Sequence, residues 1–157
     1  MSLELEIPFE TNEGYQYIIS FTEFKSIPRN YEIPLVSISI SLVSSNLEAN
    51  SLKTLNKFIE IVLEYLVPND VIIYFICDTA PIKMRVNRKD KFSYQEFRFN
   101  LFLAMFNKLK SDVFYLQPVV LTDKVGGNHY TALISRIERK EKVELVKSDL
   151  EDFNSNK

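Results

Sequence analysis

Three segments within the first 43 positions of this chain alternate between apolar and polar residues. Leu5, Ile7 and Phe9 alternate with Glu4, Glu6 and Glu10, and Tyr15, Tyr17, Ile19 and Phe21 alternate with Gln16, Ile18 and Ser20. Thr11-Asn12-Glu13-Gly14 between them has turn chemistry, so the two segments read as a hairpin. After a loop framed by Pro28 and Pro34, Val36, Ile38, Ile40 and Leu42 interleave with Ser37, Ser39 and Ser41. That period of two sets the aliphatic residues on one face of a strand and the serines on the other, which predicts a sheet with one solvated face.

The period then changes. Leu52, Leu55, Ile59, Val62, Leu63 and Leu66 recur at helical spacing, with Lys53, Lys57, Glu60 and Glu64 off the stripe, and Pro68 ends the pattern. Ser45 with Glu48 has the spacing of a capping box, and Asn50 is the alternative N-cap. Val71 to Cys77 is continuously apolar and rich in β-branched residues, as expected of a central strand buried on both faces. From Ser93 to Leu109 a second helix is expected, with Phe97, Leu101 and Met105 on one side and Phe99, Phe102, Phe106 and Leu109 on another. So apolar a helix buries two faces. Either it wedges between the sheet and the first helix, or Phe99, Phe102 and Phe106 form the interface of a homodimer.

Val113 to Leu121 and Tyr130 to Ile137 read as a second hairpin around Gly126-Gly127-Asn128. In the charged stretch from Glu138 onward, Val143, Val146, Leu150 and Phe153 mark a short docked helix. The expected architecture is one α+β domain over residues 1–157, with element order βββαβαββα. Its sheet is mixed and mainly antiparallel, with two main helices on one face and the serine surface toward solvent. The helix between the third and fourth strands permits a parallel crossover.

Composition narrows the class. With 46% apolar and 13% aromatic residues the chain is not a disordered one, and twelve Phe and eight Tyr with no Trp make phenyl rings the main core material. A single cysteine, Cys77, forms no internal disulfide, which favours a reducing compartment. The acidic start at Glu4, Glu6 and Glu10 lacks the basic-then-apolar pattern of a signal peptide, and no apolar run has the length of a membrane span. A cytoplasmic protein with no membrane partner is expected.

The formal charge of −2 is unevenly distributed: residues 1–82 carry −7, residues 83–98 carry +4 and the remainder +1. Lys83, Arg85, Arg88, Lys89 and Lys91, leading into a helix with Tyr94 and Arg98, form a candidate site for a phosphate-bearing ligand, either nucleic acid or nucleotide. The alternative is a solvated loop balanced by the acidic half and diluted by Asp90 and Glu96.

One histidine, one cysteine and three glycines leave little material for nucleophile, metal or phosphate-cradling sites. Gly126-Gly127-Asn128-His129 lies between two strands, where paired glycines serve a tight turn. Cys77 and Asp78 are neighbours and face opposite ways from a strand, so a thiol group assembled from Cys77, Asp78 and His129 is disfavoured. No spacing marks a metal site, and no cofactor is expected.

Val71 to Ala80, the basic stretch, the Phe99-Phe102-Phe106 helix and Gly127-Asn128-His129-Tyr130-Thr131-Ala132-Leu133-Ile134 together resemble a group of small bacterial proteins. The group is common in Bacteroides-like bacteria and has no assigned activity. The resemblance covers about residues 71–137 and implies a cytoplasmic bacterial protein. Three functions are then in competition. The leading expectation is a non-catalytic protein-interaction or binding module that self-associates or binds a protein partner. The second is phosphate-ligand binding through residues 83–98, and the third is an enzyme using His129 with Asp78 or Asp123.

Overall fold

The period-two segments form strands and the helical-period segments form helices. In chain order they are β1 (Leu5–Glu10), β2 (Gln16–Glu23), β3 (Leu35–Leu42), α1 (Leu52–Leu66), β4 (Ile72–Ile76), α2 (Tyr94–Leu109), β5 (Phe114–Asp123), β6 (Gly127–Arg136) and α3 (Lys140–Ser155). The computed structural model describes residues 4–10, 16–25, 30–42, 52–76, 94–109, 112–123 and 127–155. Both capping alternatives for α1 lie outside them.

The strands join one sheet in the order β1-β2-β3-β4-β6-β5. Each neighbouring pair is antiparallel except β3 and β4, which are parallel and joined through α1. A tight turn suffices for an antiparallel neighbour, whereas a parallel one requires a crossover, and α1 supplies it. β6 lies between β4 and β5, so β4 has a strand on either side and is buried from Ile72 to Phe75. Among the described residues two prolines fall inside strands, Pro8 in β1 and Pro118 in β5, and these are the two edge strands. Proline has no N–H to offer a further strand, so it is tolerated at an edge and blunts it against pairing with another chain.

Register separates the side chains into two cores. On one face Val36 pairs with Ile73, and Ile73 with Ile134. These residues, with Tyr17, Ile19 and Phe21, pack against α1 and α2. Phe21 stacks on Tyr65 at 3.9 Å between ring centroids. Phe102 of α2 meets Phe75 of β4 at 4.7 Å, and Phe99 meets Tyr130 of β6 at 5.6 Å. Tyr65 and Phe58 bring α1 onto the sheet as well, so the two helices lie side by side on this face, and α2 buries its phenylalanines against both α1 and the sheet, as expected of a core helix.

On the other face Leu35, Ile72, Tyr74, Val119 and Leu133 pack under Val143, Val146 and Leu150 of α3. Each such buried aliphatic contributes roughly 1.5–3 kcal/mol. Two expectations are corrected here. The C-terminal helix is a full element of 16 residues, and Phe153, expected on its buried stripe, is 57% exposed. α3 also covers part of the face expected to be open, leaving the solvated surface around Glu6, Thr22 and Ser39. The buried hydroxyls beneath it are satisfied: Thr131 donates to the Val119 carbonyl at 2.6 Å and Ser135 to that of Arg136 at 2.8 Å.

Candidate functional site

The direction of the strands sorts the candidate residues to two ends of the sheet. β1, β3, β4 and β5 finish at one end, where β2 and β6 begin. Ile76 leads from that end into the basic segment. Lys83, Arg85, Arg88, Lys89 and Lys91 lie outside the described residues, as do Cys77 and Asp78; Arg98 is within α2, its side chain outside them. His129 is half-buried on β6 opposite Leu121, and Asp123 pairs with Gly127, one two-residue step further along the same hairpin. The side chain of Asp123 is outside the described residues.

Phe99, Phe102 and Phe106 have an unambiguous place. They are 3%, 2% and 0% exposed, inside the core between α1, α2 and the sheet. Burial within a single chain removes them from any dimer surface, which corrects their assignment as an interface.

At the opposite end, where β3, β4 and β5 start, charged side chains tie distant segments together. The last carbonyls of α1 have no partners inside the helix and are met from elsewhere. The Val67 N–H donates to Glu64 O at 3.3 Å, Asn69 Nδ2 to Tyr65 O at 2.9 Å, and Arg136 Nε to Leu66 O at 3.3 Å. Arg136 Nη2 also donates to Val67 O at 2.9 Å. A guanidinium at the negative end of a helix is favoured by the helix dipole as well as by these bonds. The end of β6 is thereby fastened to the end of α1.

Three residues further on, Arg139 grips Asp70, with Nε 3.1 Å from both carboxylate oxygens and Nη2 bonded to Oδ2. The Asp70 carboxyl is held below its ordinary value, first by the hydrogen bond from Arg139 and then by the positive charges of Arg139, Arg136 and Lys142, against the opposing effect of burial. Lys142 donates to Tyr31 O at 2.9 Å and lies 3.9 Å from the Glu32 carboxylate. Tyr31 Oη in turn donates to Asp149 at 2.6 Å. Glu32 has a positive φ of 62°, and its N–H is held at 2.9 Å by the Asn30 side chain.

An open cleft of about 510 Å³ lies beside this framework, lined by Leu66, Val67, Val113, Phe114, Arg136 and Asp70 among others. Val67 is 69% exposed, Val113 53% and Ile137 38%. Val67 and Val113 both line the cleft, and the Ile137 N–H donates to Val113 O at 2.8 Å. Aliphatic side chains surrounded by charge have the anatomy of a protein contact surface: an apolar centre with a polar rim.

None of these end residues was singled out from sequence. Arg136 lies 70 residues from Leu66, and Arg139 lies 69 from Asp70. The only local cues were an arginine pair three apart after an apolar strand and an aspartate just before one. Among the described residues no group of three or more His, Cys, Asp or Glu side chains could hold a metal ion, and no helix is long and apolar enough to cross a membrane. Comparison with protein-family models, curated proteins and solved structures returned no match.

Proposed function

We propose that this chain is a non-catalytic protein-interaction module that self-associates through the end of the sheet where β3, β4 and β5 start. The observation that carries the reading is the exposure of Val67 and Val113 in the lining of one cleft whose charged wall is already fixed in place. Fixed surroundings matter because a surface that is ordered before contact loses less entropy on association. The blunted edges at Pro8 and Pro118 disfavour assembly by sheet extension, which also directs contact to this end. The test is sedimentation velocity across a concentration series, with wild type beside Val67→Asp and Val113→Asp. Reversible dimer in the wild type and monomer in both variants, at unchanged circular dichroism, is the expected result. A wild type that stays monomeric, or variants that dimerise equally well, overturns it.

A second reading places a phosphate-bearing ligand at the opposite end. It is supported by strand direction: the parallel strands β3 and β4 both finish there, and ligands of such sheets favour the carboxyl ends of the strands. Lys83, Arg85, Arg88, Lys89, Lys91 and Arg98 would supply the positive charge. Fluorescence anisotropy with labelled DNA and RNA over a salt series distinguishes the two. Steep weakening with salt, lost when Arg85, Arg88 and Lys89 become Glu, supports this second reading; no binding at low salt removes its nucleic-acid form.

A further inference from the structure

We infer that α3 is a separable cover: it opens from the sheet while the remaining layers stay folded, and so exposes an apolar strip on the second face. This inference is independent of the end surface proposed above. The two faces of the sheet are covered unequally. On the first, α1 alone contributes Leu55, Phe58, Ile59, Ile61, Val62, Tyr65 and Leu66 to the core, and α2 adds three phenylalanines. On the second, among the described side chains α3 buries only Val143, Val146 and Leu150.

Fastenings at the margins of α3 include polar bonds, and Lys140 Nζ lies 5.5 Å from the Tyr115 ring centroid. Tyr31 bonds Asp149, Lys142 reaches the Tyr31 carbonyl, and Asn154 Nδ2 donates to Thr122 O at 2.8 Å. At its start a short 3-10 turn, Ile137–Arg139, has no side-chain cap on its preceding residue and is held by the Arg139–Asp70 pair. An element with few buried apolar contacts and partly exposed fastenings opens at lower free energy than the core it covers. Beneath it, Leu35, Ile72, Tyr74 and Leu133 form a strip buried by α3 together with Tyr31 and Ile33. Departure of α3 uncovers these residues and leaves the α1 and α2 face intact.

The strand β6 provides an internal test, because Leu133 and Ile134 are adjacent, both 0% exposed, and belong to opposite faces. Leu133→Cys and Ile134→Cys would each be made in a Cys77→Ala background, and thiol labelling followed under native conditions. Cys at 133 is expected to label on the order of tenfold or more faster than at 134, a difference set by local opening. A third chain, Leu133→Cys with Tyr31→Phe, loses the bond to Asp149 but keeps the ring. Its labelling is expected to rise by about tenfold or more, as loss of one hydrogen bond to a charged group would give. Equal labelling at the two positions means that the faces open together by global unfolding, and overturns the inference. An unchanged rate in the Tyr31→Phe chain overturns the role of the Tyr31–Asp149 fastening.

Discussion

Replacing Phe102 by Ala separates a core role from an interface role at the residue where the two readings of α2 differ most. Phe102 is 2% exposed, with its ring centroid 4.7 Å from that of Phe75, 5.8 Å from Phe106 and 6.1 Å from Phe58. Truncation removes the transfer free energy of the ring and opens a cavity that three other large, packed rings cannot collapse to fill. Such changes cost about 3–5 kcal/mol. For a domain of this size each kcal/mol lowers the unfolding temperature by about 2–4 °C, so a fall of about 6–20 °C is expected. The assay is thermal and urea unfolding followed by far-UV circular dichroism, with Asn107→Ala as the exposed control on the same helix. The control is expected to stay within about 0.5 kcal/mol of wild type. If Phe102→Ala does not accumulate folded, Phe102→Leu retains part of the volume and is expected to cost about 1–2 kcal/mol. A Phe102→Ala protein with wild-type stability and lost self-association would refute the core assignment and restore the aromatic face as an interface.

Acid should weaken the Asp70–Arg139 clasp in a defined direction. Because Asp70 is held below its ordinary 3.8 in the folded chain, the unfolded chain binds its proton more tightly, and protonation favours unfolding. Its contribution is complete above about pH 5 and is lost as pH falls through about 4 and then through the lower folded value. Urea unfolding of wild type and Asp70→Asn at neutral pH and near pH 3 checks this: the gap between them should shrink in acid, and an unchanged gap would refute it. At the sheet edge, Pro8→Val restores a backbone donor to β1 and should raise concentration-dependent scattering while leaving the unfolding midpoint nearly unchanged. Scattering equal to wild type would show that the proline is not what protects this edge.

What sequence made legible follows from the range of each interaction. Period two at Val36 to Leu42 and helical period at Leu52 to Leu66 are set by which residues must face a core, so both elements lie where the pattern puts them. The apolar run at Val71 to Cys77 likewise identified the central strand, since only burial on both faces explains a run without alternation. Strand order depends on which hairpin docks against β4, and β6 takes that place by pairing Ile73 with Ile134, a choice with no local signature. Phe153 continues the helical stripe at the rim of the sheet: its neighbour Asn154 bonds Thr122, the last residue but one of the edge strand β5, and there the ring is exposed. The tie from Arg136 to α1 was out of reach for the same reason of range. A helix C-terminus demands partners for its carbonyls, but the demand does not say that they come from a strand 70 residues later. Local patterning therefore reported the elements, and the features that fasten them together, beside which the proposed interaction surface lies, are the ones that only the assembled sheet displays.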